Sequence, residues 1–560
     1  MNTKTIIYPA RIVRTMDPAR PVARAVAVRD GLIRAVGTVE ELLAYPHTVI
    51  DERYANKVIV PGFVEAHAHA GSGGMWDGQV YVGYFDRTDP GGKLWPGCTS
   101  IGAILERLRE AQAALADPNE PLRAWGMDNI YFPDSSILAH ELDTVSTTRP
   151  IQVNHANGHV AVVNSAALRL AGIDATTATE GVEKYADGTP NGELREFAAM
   201  GLIHELFGGG LLELSPQTLK SFAQDAVNQG VTTITDLGSM GLLTEEGRAA
   251  YADTVDADFP VRLNVFQFGV GLGTGSLPEA TAKALVAVKA MGHEKLHYGN
   301  VKLMLDGSIQ GFTARLLAPG YLNDEPNGIW NTTPEEFEAA FAAFHRAGAL
   351  IHVHCNGDQA SELFLDTLEA VLTKHPRPDH RHTMTHSQLT TQAQYRRAAA
   401  LGACANIFSN HLWYWGDQHA DRILGWDRAA RMNAARSALD AGVPISLHCD
   451  APVTELSPLK TMKHAITRRT PSGRVLGEYE RLTVEEALHA VTLGAAYMLK
   501  MDAEVGSIEA GKRADFAILE DDPYAVPSEE IGSIRVAGTM LGGRHRDARR
   551  GAVAPEASGF

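Results

Sequence analysis

Short apolar runs recur along the middle of the chain, and several of them end in a polar residue of unusual type. VIVPGFVEAHAH reads as one apolar strand that closes on histidines. After a long interruption come GVTTITDLG, VRLNVFQFG, NVKLMLDGS, ALIHVHCNG, HRHTMTH, ACANIF and VPISLHCD, so eight short β-branched or apolar runs are present. Runs of this length with little alternation are the signature of strands buried on both faces. Between them lie segments with helical spacing of apolar positions, such as PEEFEAAFAAFHRAG and TTQAQYRRAAALG. Eight strands alternating with helices predict an α/β fold, a (β/α)8 TIM-type barrel rather than an open sheet.

The two ends of the chain follow a different rhythm. TIIYPARIVR, AVAVRDGLIRAVG and HTVIDE alternate like half-buried strands, with RDG as a turn signal. GSIEAGKRADFAILE and SIRVAGTMLGG do the same near the C-terminus. The simplest organisation is a small composite β-sandwich domain from about 1–57 plus 503–560, with the barrel occupying 58–502. The stretch from about 71 to 215 is too long for one βα unit and reads as an insertion after the first barrel strand, rich in Gly, Trp and Tyr, placed to roof the site.

Composition narrows the function classes. A chain of 560 residues with 45% hydrophobic and 21% charged residues is an ordinary multidomain globular composition. A net charge of −17 argues against a nucleic-acid partner, because phosphate backbones need basic patches. No run is apolar and long enough to span a bilayer. MNTKTIIYPARIVRT lacks an apolar signal core, so a cytoplasmic location and no membrane partner are expected. Four cysteines, Cys98, Cys355, Cys404 and Cys449, do not form a disulfide framework in so long a chain.

The candidate chemistry sits at the C-terminal ends of the barrel runs, where this architecture collects its catalytic groups. The first strand supplies His67 and His69, the fourth Lys302, the fifth His354, the sixth His386 and the eighth Asp450. His67 and His69 are two apart and share a face, so one strand can present two imidazoles to one ion. Each residue alone has a plain structural explanation: a core histidine, a snorkelling lysine, a turn aspartate. Independent core residues have no reason to fall at matching ends of separate strands, and together they predict a metal site. Lys302 is the difficulty, since an ammonium beside a divalent cation is repelled. It must be neutral, paired elsewhere or chemically changed.

PGFVEAHAHA, VKLMLDGS, HVHCNGDQA, THSQ, VPISLHCDAPV and EAGKRADFAIL occur in an order that resembles the amidohydrolase superfamily, in its branch of N-substituted formamide deformylases and YtcJ-like proteins. The likeness runs nearly end to end and includes NGHVAVVNSAAL and DGTPNGELREFA in the insertion. It implies that His67, His69 and Asp450 bind a buried ion, that Lys302 carries a CO2-derived carbamate bridging two ions, and that His354 and His386 hold the second. Zinc is the first expectation for such a donor set, with manganese, iron or cobalt also fitting.

The implied reaction is hydrolysis of a C–N bond in a small-molecule amide or formamide by a metal-activated hydroxide. Asp450 would be general base and then acid, and His159 would polarise the carbonyl. A homodimer or larger assembly is also implied. Trp76, Trp413 and Trp415 are candidates for an aromatic substrate pocket, with packing of the roof as the alternative. His448-Cys449 and Cys355-Asn356 depart from the Gly-Ser and Ala-Ile pairs usual in the family. Cys355 and Cys449 read as packing residues on the opposite face. The roles of His448, His352 and His155 stay open, and Asp306 is held as a turn or supporting residue. Two rival functions remain: a one-metal deaminase or cyclic-amide hydrolase with unmodified Lys302, and a catalytically inactive regulatory relative.

Overall fold

The computed structural model describes residues 4–549 apart from 77, 118, 209–213, 270–277 and 323–324. The expected insertion over 71–215 and the terminal domain therefore have parts outside the described residues. Eight parallel strands form one sheet in chain order: β1 (Phe63–Ala68), β2 (Val231–Ser239), β3 (Arg262–Phe268), β4 (Leu296–Met304), β5 (Ile351–Cys355), β6 (Thr383–His386), β7 (Cys404–Ile407) and β8 (Ile445–Leu447). Seven adjacent pairs are parallel ladders. The eighth seam has no ladder and closes just beyond β8: the Asp450 N–H donates to His67 O at 3.1 Å and the His69 N–H to Ala451 O at 2.8 Å. The result is the (β/α)8 barrel, and nearly every strand position is buried, which is why the runs do not alternate.

The helices between strands form where the sequence carries both a stripe and its punctuation. In Pro334–Ala347, Thr333 and Glu336 make a capping box, Pro334 opens the first turn and Gly348 ends the helix at φ 91°. Phe337, Ala340, Phe341 and Phe344 fall at spacings of three and four and are buried against the barrel. Gln392–Leu401 repeats the device with Thr391, Gln394 and Gly402 at φ 73°.

The terminal strands pair into one eight-stranded sheet: Thr5–Arg14, Val22–Arg29, Leu32–Gly37, Thr48–Ile50 and Val58–Pro61 with Phe516–Leu519, Val536–Leu541 and Arg544–Asp547. Asp30 and Gly31 both take positive φ, 55° and 74°, as a tight two-residue hairpin turn requires. The sheet rolls over on itself, since a Cβ on Gly31 would lie 3.0 Å from Gly542 O although the two hairpins hold opposite edges. Tyr8, Val26, Ile33, Ile59, Phe516 and Met540 fill the space between its layers.

VIVPGFVEAHAH is not one strand. Val58–Pro61 belongs to the terminal sheet, and the barrel begins only after Gly62. A side chain at 62 would meet Thr232 Oγ1 at 2.0 Å, so the chain can pass from sheet to barrel there only on glycine.

The insertion builds a six-stranded sheet, from Val182–Lys184 through Pro190–Arg195, Val160–Val163, Ile151–His155 and Leu122–Met127 to Val80–Tyr81. It has its own core, with Ile104 and Leu108 of helix Ile101–Ala114 against Leu122, Ala124, Ile151 and Val153. It is pinned over the barrel mouth by polar contacts. Tyr131 Oη donates to Tyr414 O at 2.8 Å, Arg422 to Ile130 O at 2.6 Å, and Arg87 to Pro452 O and Val453 O at 2.5 and 2.7 Å. All four cysteines are free and buried. Among the described residues no helix is long and apolar enough to cross a membrane.

Candidate metal centre

Alternation along β1 aims Glu65, His67 and, just past its end, His69 at the barrel interior. His67 Nε2 and His69 Nε2 lie 3.2 and 3.3 Å from Asp450 Oδ1, and His386 Nδ1 lies 3.7 Å from Asp450 Oδ2. The His354 and His386 rings are 4.4 Å apart, and those of His67 and His386 4.8 Å. Five of the expected residues thus lie side by side at one end of the barrel, His354 next to the ring of His386. His386 and Asp450 reach it through left-handed backbone, φ 71° and 53°. His and Asp enter that region more readily than β-branched residues, and such outliers cluster at functional sites.

Lys302 ends among them. It is 2% exposed and its Nζ has no hydrogen-bond partner. Burial brings its pKa down to about 7, against the attraction of Asp450. The amine is therefore poised to be neutral, one of the states that remove the repulsion noted above. Burial also holds His67, His354 and His386 well below the usual imidazole pKa, so these rings offer neutral nitrogens. His67 Nδ1 and His386 Nδ1 are buried without hydrogen-bond partners. Orphaned buried nitrogens beside a carboxylate are costly unless something joins them, and this donor set fits a divalent ion.

Two supporting groups complete the surroundings, Glu65, which carried little signal in the chain, and Asp306, expected as a turn or supporting residue. Glu65 accepts the His67 N–H at 3.1 Å and the Cys449 N–H at 3.1 Å, stitching β1 to the end of β8 where the barrel has no ladder. Burial raises its pKa to about 8. Its place two residues before His67 was the only hint. Asp306 accepts backbone N–H groups of Asn356, Gly357 and Arg315 at 3.0, 2.8 and 3.0 Å, fixing the turn after His354. His354 Nε2 lies 3.1 Å from Gly307 O, a contact that orients the ring.

His159 reaches the centre from the insertion, its ring 5.2 Å from that of His354. Glu196 holds it, with Oε2 2.9 Å from Nδ1, and Asn331 Nδ2 donates to the same oxygen at 2.8 Å. Burial opposes charge on His159, yet the Glu196 carboxylate raises its pKa overall.

The open histidines separate. His352 is fully buried against Phe266, ring centroids 4.8 Å apart, in a core position. His448 stacks on His67 at 4.6 Å and on Phe408 at 4.8 Å. Donor atoms of His67, His386, His448 and Asp450 all lie within 4.8 Å of one another. Cys355 and Cys449 pack in the wall between barrel and helices.

The tryptophans do not gather around the candidate ligands. Trp415 is fully buried and its indole N–H donates to Asp128 Oδ2 at 2.9 Å, so it packs the roof instead of lining a substrate pocket. Trp413 stacks flat on His464 at 5.7 Å. Trp76 lines a cavity of about 560 Å³ with Asp89, Lys220 and Gln224, and none of the candidate ligands lines it.

Asp128 also accepts from Asn157 Nδ2 at 2.8 Å and faces His155 Nδ1 at 3.4 Å. Burial lifts the Asp128 pKa to about 8 and lowers that of His155 to about 4. As pH rises from about 4 to 8 the unfolded chain sheds the Asp128 proton and the folded chain keeps it, so this group makes stability fall. The His155 contribution has the opposite sign, complete above about 6.5 and lost as pH drops toward 4. Asp128→Asn removes only the first slope. Its urea midpoint relative to wild type is expected to rise between pH 5 and pH 8; a difference constant with pH refutes the assignment.

A family model described as the amidohydrolase family matches residues 55–546. N-substituted formamide deformylase of Arthrobacter pascens is 26% identical over 551 residues, covering 96% of this chain and 97% of that protein. YtcJ of Bacillus subtilis is 25% identical over 550 residues, covering 96% and 98%. A structure of an uncharacterized metal-dependent hydrolase from Pyrococcus horikoshii OT3 superposes with a TM-score of 0.67 at 18% identity, covering 94% of this chain and 99% of that one, a likeness of fold. With the barrel, the converging histidines and aspartate, and a family match over nearly the whole length, the chain belongs to the amidohydrolase family.

Proposed function

We propose that this protein hydrolyses the C–N bond of a small amide or formamide at a centre of two divalent ions, zinc first among the candidates. The observation that carries this reading is the partnerless, buried Lys302 amine set among His67, His354, His386 and Asp450. His67, His69 and Asp450 would hold one ion, His354 and His386 the other, and Lys302 both. A neutral lysine amine adds to CO2 and releases a proton, which turns the one misfit cation into an anionic oxygen donor. Divalent ions held by such a set supply Lewis acidity, polarising a carbonyl and bringing the pKa of water toward neutrality.

The protein's own groups then divide the work. Asp450 takes the proton of the attacking water and returns it to the leaving nitrogen as the C–N bond breaks. His159, held through Nδ1 by Glu196, turns Nε2 toward the carbonyl oxygen and stabilises its developing charge. The insertion excludes bulk water, which strengthens both effects. The small-amide class is supported by the deformylase likeness, and a cytoplasmic location and a homodimer belong to the same proposal.

The test is a metal count joined to a substrate screen. Protein loaded with zinc or manganese, with and without bicarbonate, is expected to carry close to two ions per chain when bicarbonate is present and to release amine from N-formyl or N-acyl amines. One ion per chain in both preparations sinks the bridged pair, and exclusive turnover of cyclic amides or amino-heterocycles moves the reaction to the rival class.

A further inference from the structure

We propose that Asn331 is a positioning residue for the reaction: it holds Glu196, and through it His159, so that the insertion presents its imidazole to the centre only when latched to the loop after β4. The inference rests on the hydrolytic reading above, with His159 as the group that faces the carbonyl. Asn331 sits between β4 and the helix Pro334–Ala347, outside every motif that marked the site in the sequence.

His159 and Glu196 both belong to the insertion and grip each other twice. The Glu196 N–H donates to His159 O at 2.8 Å, and the Glu196 carboxylate oxygens lie 3.1 and 2.9 Å from His159 Nδ1. A carboxylate only accepts, so Nδ1 carries a proton and Glu196 sets the direction of the ring. That ring stands 5.2 Å from His354. Local backbone preference works against the arrangement. Glu196 takes φ 63°, a left-handed conformation that a long side chain seldom holds unless its surroundings impose it.

The barrel supplies those surroundings. Glu196 is 1% exposed, and its carboxylate lodges over Gly307, where a Cβ would lie 2.0 Å from Oε1. Asn331 Nδ2 donates to Glu196 Oε2 at 2.8 Å and to Asp306 O at 3.1 Å. Both partners are acceptors, so both amide hydrogens are committed and the amide can face only one way. The Asn331 N–H donates to Leu305 O at 2.8 Å, which fixes the residue to the chain just beyond Lys302. One side chain therefore ties the strained end of the insertion to the strand that carries the lysine. Without its amide, the Glu196 carboxylate loses its donor from the barrel, and less remains to hold the backbone at positive φ and the ring in line.

The test is a double-mutant cycle. Asn331→Ala removes the donor, and Asn331→Leu does so while filling the volume, in case a void disturbs the loop. Each is made in wild type and in His159→Ala, and circular dichroism confirms the fold. The parameters kcat and KM are measured on the N-formyl or N-acyl amine that wild type turns over, together with ions per chain. The expected result is a kcat lowered about 10–100-fold with KM and ions per chain nearly unchanged. In the His159→Ala background the same substitutions should cause no further loss, within about twofold, because their effect passes through that ring. Protein labelled with 15N-histidine gives a second readout. The protected Nδ1–H signal of His159, identified by its loss in His159→Ala, should broaden or vanish in both Asn331 variants. A wild-type kcat, an intact Nδ1–H signal, or an equal loss with and without His159 overturns the positioning role alone. A wild-type chain that turns over no N-formyl or N-acyl amine overturns the hydrolytic reading and this inference with it.

Discussion

Replacing Asp450 by Asn is expected to lower kcat by about 10³-fold or more while the protein stays folded and retains metal. The size follows from two losses in one side chain. A positioned general base contributes about 10²–10⁴-fold, and an amide cannot accept the proton that hydrolysis releases. Burial works against ionisation of Asp450, but contacts with His69, His448 and Lys302 hold its carboxyl below the usual carboxylate range, so it is ready as a base. Asn has the same shape, and the Asp450 N–H donation to His67 O at 3.1 Å is a backbone contact that the substitution leaves alone. Turnover of the substrate found in the screen should therefore fall much further than ions per chain. If kcat stays at the wild-type level in metal-loaded Asp450→Asn, the proton passes through another group.

The second large effect concerns stability and lies at the other end of the barrel. Arg262 opens β3, and its Nε meets Asp515 Oδ2 of the terminal domain at 2.8 Å, with side chains 1% and 2% exposed. Asp515 Oδ1 also accepts the Gly542 N–H at 2.7 Å, so one carboxylate joins a barrel strand to a hairpin of the rolled sheet. Removing one member of a buried pair leaves the other charge in low dielectric, at about 3–5 kcal/mol. Asp515→Ala should lower the unfolding free energy from urea denaturation by an amount of that order. The Glu294 carbonyl, 2.8 Å from Arg262 Nη1, softens the loss only in part. Arg262→Met combined with Asp515→Leu should recover most of it, because no bare charge then remains. Activity per folded molecule should be nearly unchanged in both variants. A loss of unfolding free energy below about 1 kcal/mol for Asp515→Ala would show the pair to be as weak as a surface salt bridge.

The barrel was legible because its strands and helices obey local periods. NVKLMLDGS and ALIHVHCNG announce buried strands by composition alone, and they pair as β4 and β5 with Lys302 beside His352 and Met304 beside His354. The break at Gly62 was not legible: VIVPGFVEAHAH is apolar throughout, and only the approach of Thr232, 170 positions away, forbids a side chain there. The insertion could be recognised as an excess of chain, but its six strands are short and some pair only through long returns, so their sheet carries little local signal.

The centre divides along the same line. Alternation within a strand decided that His67 and His69 share a face, that Cys355 and Cys449 turn away, and that Lys302 and Asp450 lie at strand ends. These are properties of neighbouring residues, and the chain determines them by itself. Which rings meet across the barrel is another matter. That Glu65 closes the seam with Cys449, that Glu196 holds His159, that Trp415 is taken up by Asp128 and that His448 stacks on His67 were decided only by the tertiary structure. Each of the first three joins residues 37 to 384 positions apart. Such contacts depend on barrel closure and on burial, which removes water as a competing partner and forces each polar group to find one inside.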